Sequence, residues 1–303
     1  MNIAFFVFAF LSTAVTARPV GCAWLKIPIG AREAAMAGSG TAGASGPQGL
    51  TYNPAATARL SPFSAQAEYT KWFLDTHHQS LFTARDLHHL VVGLGIATFA
   101  SGRFEYRDEI PSENPLGTFS PLDLTAYLNL SRQFGEFAGI GINLRYFYSK
   151  VLNYSLSGFG ADIGTRLYPL KNLILAAAIT EFGRTLSYKY ELFWLPTRAR
   201  IGAAYRLPFG APQPAAGGKA TSLTLALDGS YFFYTKEIDC SLGSEFTLAD
   251  ILSLRAGYNL TNHVNHLNFG AGIRRGRLRL DYAFSPLNLN LGAAHRIAIG
   301  FGY

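Results

Sequence analysis

Between Ala138 and Tyr148 the side chains alternate. Ala138, Ile140, Ile142, Leu144, Tyr146 and Tyr148 are apolar, while Gly139, Gly141, Asn143 and Arg145 between them are small or polar, with Phe147 the exception. A period of two is that of an extended strand with one greasy face and one polar face. The same split recurs in Leu122, Leu124, Ala126, Leu128 and Leu130 against Asp123, Thr125, Tyr127, Asn129 and Ser131. It recurs again in Leu278, Leu280, Tyr282 and Phe284, and in Ile297, Ile299, Phe301 and Tyr303. About fourteen such segments can be counted, near 64–74, 78–85, 89–101, 122–133, 136–149, 154–168, 172–183, 197–207, 220–233, 237–246, 251–260, 265–274, 277–284 and 294–303. Their length matches the ~9–11 residues that a tilted membrane strand needs.

After residue 17 no stretch approaches 18 uncharged apolar residues, so helical membrane spans are excluded. Yet only 15% of residues are charged and 49% are hydrophobic, against ~25% charged in ordinary soluble domains. A chain this apolar, folded as strands with one oily face, is stable in lipid only as a closed sheet, which satisfies every backbone donor and acceptor. The expected fold is therefore all-β: an antiparallel transmembrane β-barrel of about 14 strands in the bacterial outer membrane, with lipid as its first partner. A β-sandwich or solenoid would need cover for its tyrosine-rich outer faces, and no part of the chain is left to supply it. Connection lengths agree: 134–136, 169–171 and 275–276 are tight, whereas 102–121, 184–196 and 285–293 are long and belong outside the cell. The stretch 208–219, rich in Pro, Gly and Ala, would be an unusually long periplasmic loop.

The apolar run Ile3 to Leu11, followed by small residues up to Ala17, reads as a secretory signal covering 1–17, with a short membrane anchor as the alternative. Residues 18–61 are expected to form a plug and 62–303 the barrel. Gly93, Gly95 and Ala97 beside Val91 leave room against the wall, and the Gly/Ala/Ser tract of residues 34–49 is too small-residued to build its own core.

Placing apolar positions in lipid turns Arg145, Arg166, Arg198, Arg200, Arg206, Arg255, Arg274, Arg277, Arg279 and Arg296 inward. Glu68, Asp123, Asp162, Asp228, Asp239, Glu245 and Asp281 turn inward with them. An Arg or Lys on the lipid face at mid-depth costs ~2–4 kcal/mol, which fixes the register. These arginines are expected to pair with the acids or with plug carbonyls, anion conduction being the alternative. The lumen is thus a mixed ionic surface with a modest positive excess, and the net charge of +7 does not mark a nucleic-acid partner, since a basic interior is not an exposed basic stripe.

The run Ile29-Gly30-Ala31-Arg32-Glu33-Ala34-Ala35-Met36-Ala37-Gly38-Ser39-Gly40-Thr41-Ala42, followed by Tyr52-Asn53-Pro54-Ala55, resembles the N-terminal signature of the PorV/PorQ proteins within the FadL-like outer-membrane barrels. Matches continue in Gly160-Ala161-Asp162-Ile163-Gly164, Leu195-Pro196-Thr197-Arg198, Leu254-Arg255-Ala256-Gly257-Tyr258 and Leu280-Asp281-Tyr282. The resemblance implies a 14-stranded barrel with an N-terminal hatch carrying Gly30, Glu33, Met36, Gly38, Gly40, Asn53, Pro54 and Ala55. It also implies a C-terminal assembly signal at Phe301 and Tyr303.

From that resemblance the first functional expectation is a barrel accessory to type IX-like protein secretion or surface attachment, acting on a translocon or exported cargo. The alternative is passive transport of hydrophobic small molecules, for which Val91, Phe99, Tyr127 and Phe147 are inward apolar candidates. An outer-membrane hydrolase fits least. No Gly-x-Ser-x-Gly elbow occurs, and His77-His78 and His88-His89 are adjacent strand residues that point to opposite faces. No catalytic residue, metal or cofactor is expected. Cys22 and Cys240 are read as unpaired thiols, because Cys240 falls in a lipid-facing register, with a disulfide as the alternative.

Overall fold

The computed structural model describes residues 20–60, 62–107, 113–185, 193–209, 220–262 and 264–302. The expected signal segment 1–17, residues 210–219 of the long Pro/Gly connection, His263 and Tyr303 lie outside the described residues.

The strands, in chain order, are β1 (Phe63–Lys71), β2 (His77–Asp86), β3 (Val91–Ala100), β4 (Phe104–Tyr106), β5 (Gly117–Phe119), β6 (Leu122–Phe134), β7 (Ala138–Val151), β8 (Tyr154–Leu170), β9 (Leu173–Thr185), β10 (Arg198–Phe209), β11 (Thr221–Phe232), β12 (Ile238–Leu248), β13 (Leu252–Asn259), β14 (Leu267–Arg275), β15 (Leu278–Pro286) and β16 (Ala293–Phe301). All but β4 and β5 form one closed antiparallel barrel of fourteen strands, in which each strand pairs with its chain neighbours and β1 pairs with β16. The protein is thus an outer-membrane β-barrel, and lipid takes the place of a core on its outside. Leu144, Ile201 and Ile299 are 58%, 67% and 59% exposed, while Asn143, Arg200 and Ala298 beside them are buried inside.

Three features depart from the simple alternation, one of them a register shift between Leu167 and Leu170 of β8. The connection after β3 contains a two-stranded hairpin, β4–β5, too short to register as a periodic segment. In β9 both Thr180 and Glu181 are buried, because the pairing of Ala161 with Phe182 and of Ile163 with Ile179 leaves two β9 residues opposite Asp162. Glu181 adopts φ +58° at this bulge, which turns two successive side chains inward.

The mouth where β1 begins and β16 ends, the inner mouth, has mostly short connections, such as 135–137, 171–172 and 276–277. The long connection 101–121 is at the other, outer mouth. That asymmetry is the one bacterial barrels show between periplasm and exterior.

A barrel of eight strands is filled by its own side chains, so one of fourteen has room for more. Residues 20–60 occupy that room. The segment starts at the outer mouth, where Val20 bridges Trp194, and ends near the inner mouth, where Arg59 donates to the Glu136 carbonyl. Between them it forms 3₁₀ turns at Ala23–Lys26, Pro47–Thr51 and Pro54–Thr57 and one short helix, α1 (Ala31–Ala35). Gly30, at φ +97°, makes the bend into α1, a conformation that disfavours any side chain. At the last turn Asn53 Oδ1 accepts from Ala55 N at 2.9 Å and Pro54 occupies the first position, a capped start.

Candidate functional site in the barrel lumen

The inner segment meets the wall in three ways. Against β13–β16 it relies on close approach: Ala31, Ala34 and Ala35 of α1 pack on Ala283 and Ala298. Met36 is fully buried over Gly243 and Gly257, where a wall Cβ would strike it. Against β6–β8 it adds hydrogen bonds to the close approach of Gly141 and Gly164 to Pro54 and Asn53. Asn129 Nδ2 donates to the Pro54 carbonyl (3.0 Å) and to Asn143 Oδ1 (2.7 Å), Asn143 Nδ2 donates to the Leu50 carbonyl (2.9 Å), and Asn53 Nδ2 donates to the Thr165 carbonyl (2.9 Å). Buried polar groups satisfied in this way are rigid, because breaking any one leaves a partner unpaired.

The third way is ionic. Arg32 donates through Nε to Glu245 (3.0 Å) and through Nη1 to the Gly43 carbonyl (2.6 Å). Burial opposes the charge on Arg32, but Glu245 and Glu33 outweigh it and hold its guanidinium above the ordinary value. Glu245 also accepts from Arg255 (2.7 Å), and Asp281 joins Arg255 (2.8 Å) and Arg279 (2.7 Å). Across the lumen, Asp162 pairs with Arg145 (2.6 Å), and the bulge residue Glu181 bridges Arg145 (3.7 Å) and Arg198 (2.9 Å). Asp228 accepts from Thr41 N (2.7 Å) and lies 3.5 Å from Arg200. Arg166 donates to the Ala44 and Gly40 carbonyls (3.0 and 3.4 Å).

Of the motif residues in the inner segment, Gly30, Glu33, Met36, Gly40, Asn53, Pro54 and Ala55 are buried, and Gly38 is half-buried with its carbonyl accepting from Arg200. Glu33 accepts from Gln48 Nε2 (3.1 Å) and Ser45 N (3.3 Å), tying α1 to the tract that follows. Tyr52 donates to the Ile29 carbonyl at 2.8 Å, and burial, with Glu33 adding to it, pushes its phenol well up, so it remains a neutral donor.

Four placements differ from the sequence reading or refine it. Arg277 is not a wall residue of the lumen: it stands in the two-residue turn with Gly276 (φ +60°), exposed at the rim, because β15 begins one residue later. Arg274 is exposed and lines the inner mouth. Asp239 is half-buried and lines the outer mouth, accepting from Asn259 Nδ2 at 2.7 Å. Gly95 makes room for the wall's own Phe82 and not for the inner segment, whereas Gly93 does receive Leu50. Phe82 then joins Ile29, Leu50, Ala97 and Tyr127 in one apolar cluster. Phe301 lies on the lipid face beside Phe63, with ring centroids 6.4 Å apart.

Phe82, Trp72, Leu195 and Glu181 are lumenal residues that the alternation did not single out. Phe82 shares the parity of His78 in β2 and could have been found by it. Leu195 lies in a connection and carries no periodic signal. It fills the hollow opposite Gly160 and Gly183 and packs with Leu25 and Phe147. Both cysteines are free, and burial and the Asp123 charge push the Cys22 thiol up to about 12.

Two cavities remain at the mouths. The outer one, about 300 Å³, is bounded by Ile27, Pro28, Tyr52, Trp72, Val264 and Leu287 together with Lys26, Arg198, Arg200 and Arg296. Arg296 is 1% exposed, with Nη1 on Ser285 (3.0 Å) and its guanidinium 4.9 Å from the Trp72 ring, while Nε and Nη2 have no hydrogen-bond partner among the described residues. The inner cavity, about 630 Å³, is strongly basic. The wall between the mouths is continuous, with β3 paired to β2 and β6 along its length.

The closed fourteen-stranded fold is shared by several solved barrels. Among solved structures it is similar to the Pseudomonas putida toluene transporter TodX, with a TM-score of 0.57 and 12% identity, covering 90% of this chain and 96% of that one. It is also similar to the CymD monoaromatic hydrocarbon channel (TM-score 0.55, 12% identity, 90% and 96% covered) and to a FadL homologue from Pseudomonas aeruginosa (TM-score 0.50, 11% identity, 90% and 98% covered). TodX is a transporter and CymD a channel by name, and none of the three singles out the PorV/PorQ proteins. No family model and no curated protein matches the sequence.

Proposed function

We propose that this protein is a passive transporter of small hydrophobic molecules across the bacterial outer membrane, with residues 20–60 acting as its plug. The observation that carries the reading is an inner segment that crosses the whole lumen from Val20 to Arg59 within a barrel whose fold is similar, over 90% of the chain, to TodX and CymD. A lumen so filled does not serve as an open ionic pore. Its outer cavity sets the aromatic faces of Tyr52 and Trp72 beside Ile27, Val264 and Leu287, a surface that can take an apolar guest. The expected route for secretion or surface attachment draws on the N-terminal motif alone, and the matched hydrocarbon channels favour transport over it.

The test is uptake of radiolabelled toluene by cells that carry the barrel in their outer membrane, with the empty vector as control. Faster initial uptake, with no steady ionic conductance of the purified protein in planar bilayers, supports the reading. Uptake equal to the control, with the barrel folded in the membrane, overturns it.

A further inference from the structure

The aromatic belts of the two rims differ in chemistry. On the lipid face toward the inner mouth the exposed rings include Phe63, Phe134, Phe209, Phe246 and Phe301, which carry no hydrogen-bonding atom. Toward the outer mouth they include Tyr69, Tyr154, Tyr258 and Tyr282, each with a hydroxyl. Such girdles lie where the membrane meets water, at the level of the lipid headgroups. The outer belt thus brings to the headgroups hydrogen-bonding atoms that the phenylalanines of the inner one lack.

Within the outer belt the register builds one basic row. Lys71 of β1 stands directly opposite His77 of β2 on one side and directly opposite His295 of β16 on the other. All three share the outward parity of Tyr69 and Ile297, so they face the membrane. Opposed side chains on adjacent strands start about 5 Å apart, so the row spans about 10 Å with the ammonium in its middle. Tyr69 stacks on His77 with ring centroids 6.2 Å apart, and Tyr282 Oη and His295 Nδ1 share a hydrogen bond of 2.8 Å, which leaves Nε2 of His295 for another partner. The charge of Lys71 is not answered within the chain. The exposed ion pairs among the described residues are Lys26–Glu237, Arg107–Glu105 and Arg206–Asp250, and Asp75 of the adjoining turn packs against Gly102 on the β3 side. Below Tyr69 the middle strand offers only Ala67, between Leu81 and Ile299, and Ala65, between Thr83 and Phe301. Small residues flanked by larger ones make a shallow channel down β1, directly beneath the basic row.

We infer that Lys71, His77 and His295 form a docking site on the outer wall for the phosphate of an anionic lipid in the leaflet around the outer mouth, with one acyl chain lying in the channel over Ala67 and Ala65. Lysine supplies the charge and the flanking imidazoles supply N–H donors, a set that suits the several oxygens of a phosphate and forms charge-assisted hydrogen bonds with it. The long stem of Lys71 lies along the apolar surface while its head stays at the interface. The channel is what selects a lipid over free phosphate, because only a lipid fills the oily and the basic part together. The site is on the outside of the wall, so it stands whether or not the lumen carries a guest.

The experiment takes the full chain in neutral detergent and follows lipid adducts by native mass spectrometry as dioleoyl phosphatidic acid or dioleoyl phosphatidylcholine is added. Saturable retention of phosphatidic acid, about fivefold or more above phosphatidylcholine at equal concentration, is expected. The triple variant Lys71→Gln/His77→Gln/His295→Gln changes only side chains on the membrane face. It is expected to remove that preference while the barrel keeps its heat-modifiable gel migration. Lys236→Gln takes the same charge from the exposed β11–β12 turn at the outer mouth, away from the row, and is expected to leave the preference intact. Equal retention of the two lipids, an unchanged preference in the triple variant, or an equal loss in Lys236→Gln overturns the site. Inorganic phosphate bound as tightly as phosphatidic acid overturns the lipid as its occupant.

Discussion

One side of the lumen holds the inner segment by closeness, and the other adds hydrogen bonds to the close approach of Gly141 and Gly164. Along β13–β16, α1 lies on alanines and glycines whose only contribution is to be small. Along β6–β8, the turn at Asn53 and Pro54 is held by amides that must each find the right partner. Close approach is sensitive to size and indifferent to polarity, and hydrogen bonding is the reverse. The two sides should therefore fail under different substitutions.

The largest effect should come from Glu245→Gln, which breaks the comparison by removing an ionic pin that β12 supplies beside the close-packed side. Arg32 and Arg255 would be left buried without their shared acid, at a cost of about 3–5 kcal/mol. Heat-modifiable migration should be lost at a clearly lower temperature than in the unaltered protein. Next, Gly257→Val puts a side chain onto the backbone of Met36 and Ala37 and should cost about 1–3 kcal/mol. Limited proteolysis should then cut the inner segment. The same change at Gly229, which faces outward with its nearest neighbour, Ile201, 3.6 Å away, should leave proteolysis unaltered.

On the hydrogen-bonded side, Asn53→Ala preserves space but abandons the Thr165 carbonyl and the Ala55 amide, for a loss of about 1–3 kcal/mol. If thermal melting instead tolerates Asn53→Ala and Gly257→Val alike, the contrast between the sides is wrong. Smaller still is the effect of acid on the outer tether, Lys26 to Glu237 at 2.6 Å. The hydrogen bond from Lys26 holds the Glu237 carboxyl below its ordinary range. Its contribution is complete above the usual carboxylate pKa and fades as the pH falls below it, and an exposed pair of this kind is worth at most about 1 kcal/mol. Fluorescence from Trp24 should report the loosening as pH falls, and Lys26→Gln should abolish that pH dependence. Finally, with its thiol pushed up to about 12, Cys22 should react with maleimide near neutral pH far more slowly than an exposed cysteine.

The strands could be read from sequence because two solvents, lipid and lumen, act on alternate residues for the length of every strand. The partners of the lumenal charges could not. Arg32 and Glu245 are 213 positions apart, and only the curvature of the closed sheet brings β12 to α1. Arg277 was misread because an alternating face does not announce the turn that ends it. The bulge was invisible for a related reason: Thr180 and Glu181 are both polar, so a doubled inward step leaves no apolar residue out of place. The hairpin β4–β5 offers three residues per strand, too few for a period.

That doubled step in β9 has a consequence for how the chain can change length. Where pairing is regular, gaining or losing a single residue exchanges every later side chain of the strand between oil and lumen, so length can drift only by twos. At Glu181 the parity is already broken, and shortening the strand there by one would restore regular pairing while taking away the acid shared by Arg145 and Arg198. This bulge is thus a place in the cylinder where an odd deletion is absorbed by the backbone and felt chiefly as lost charge.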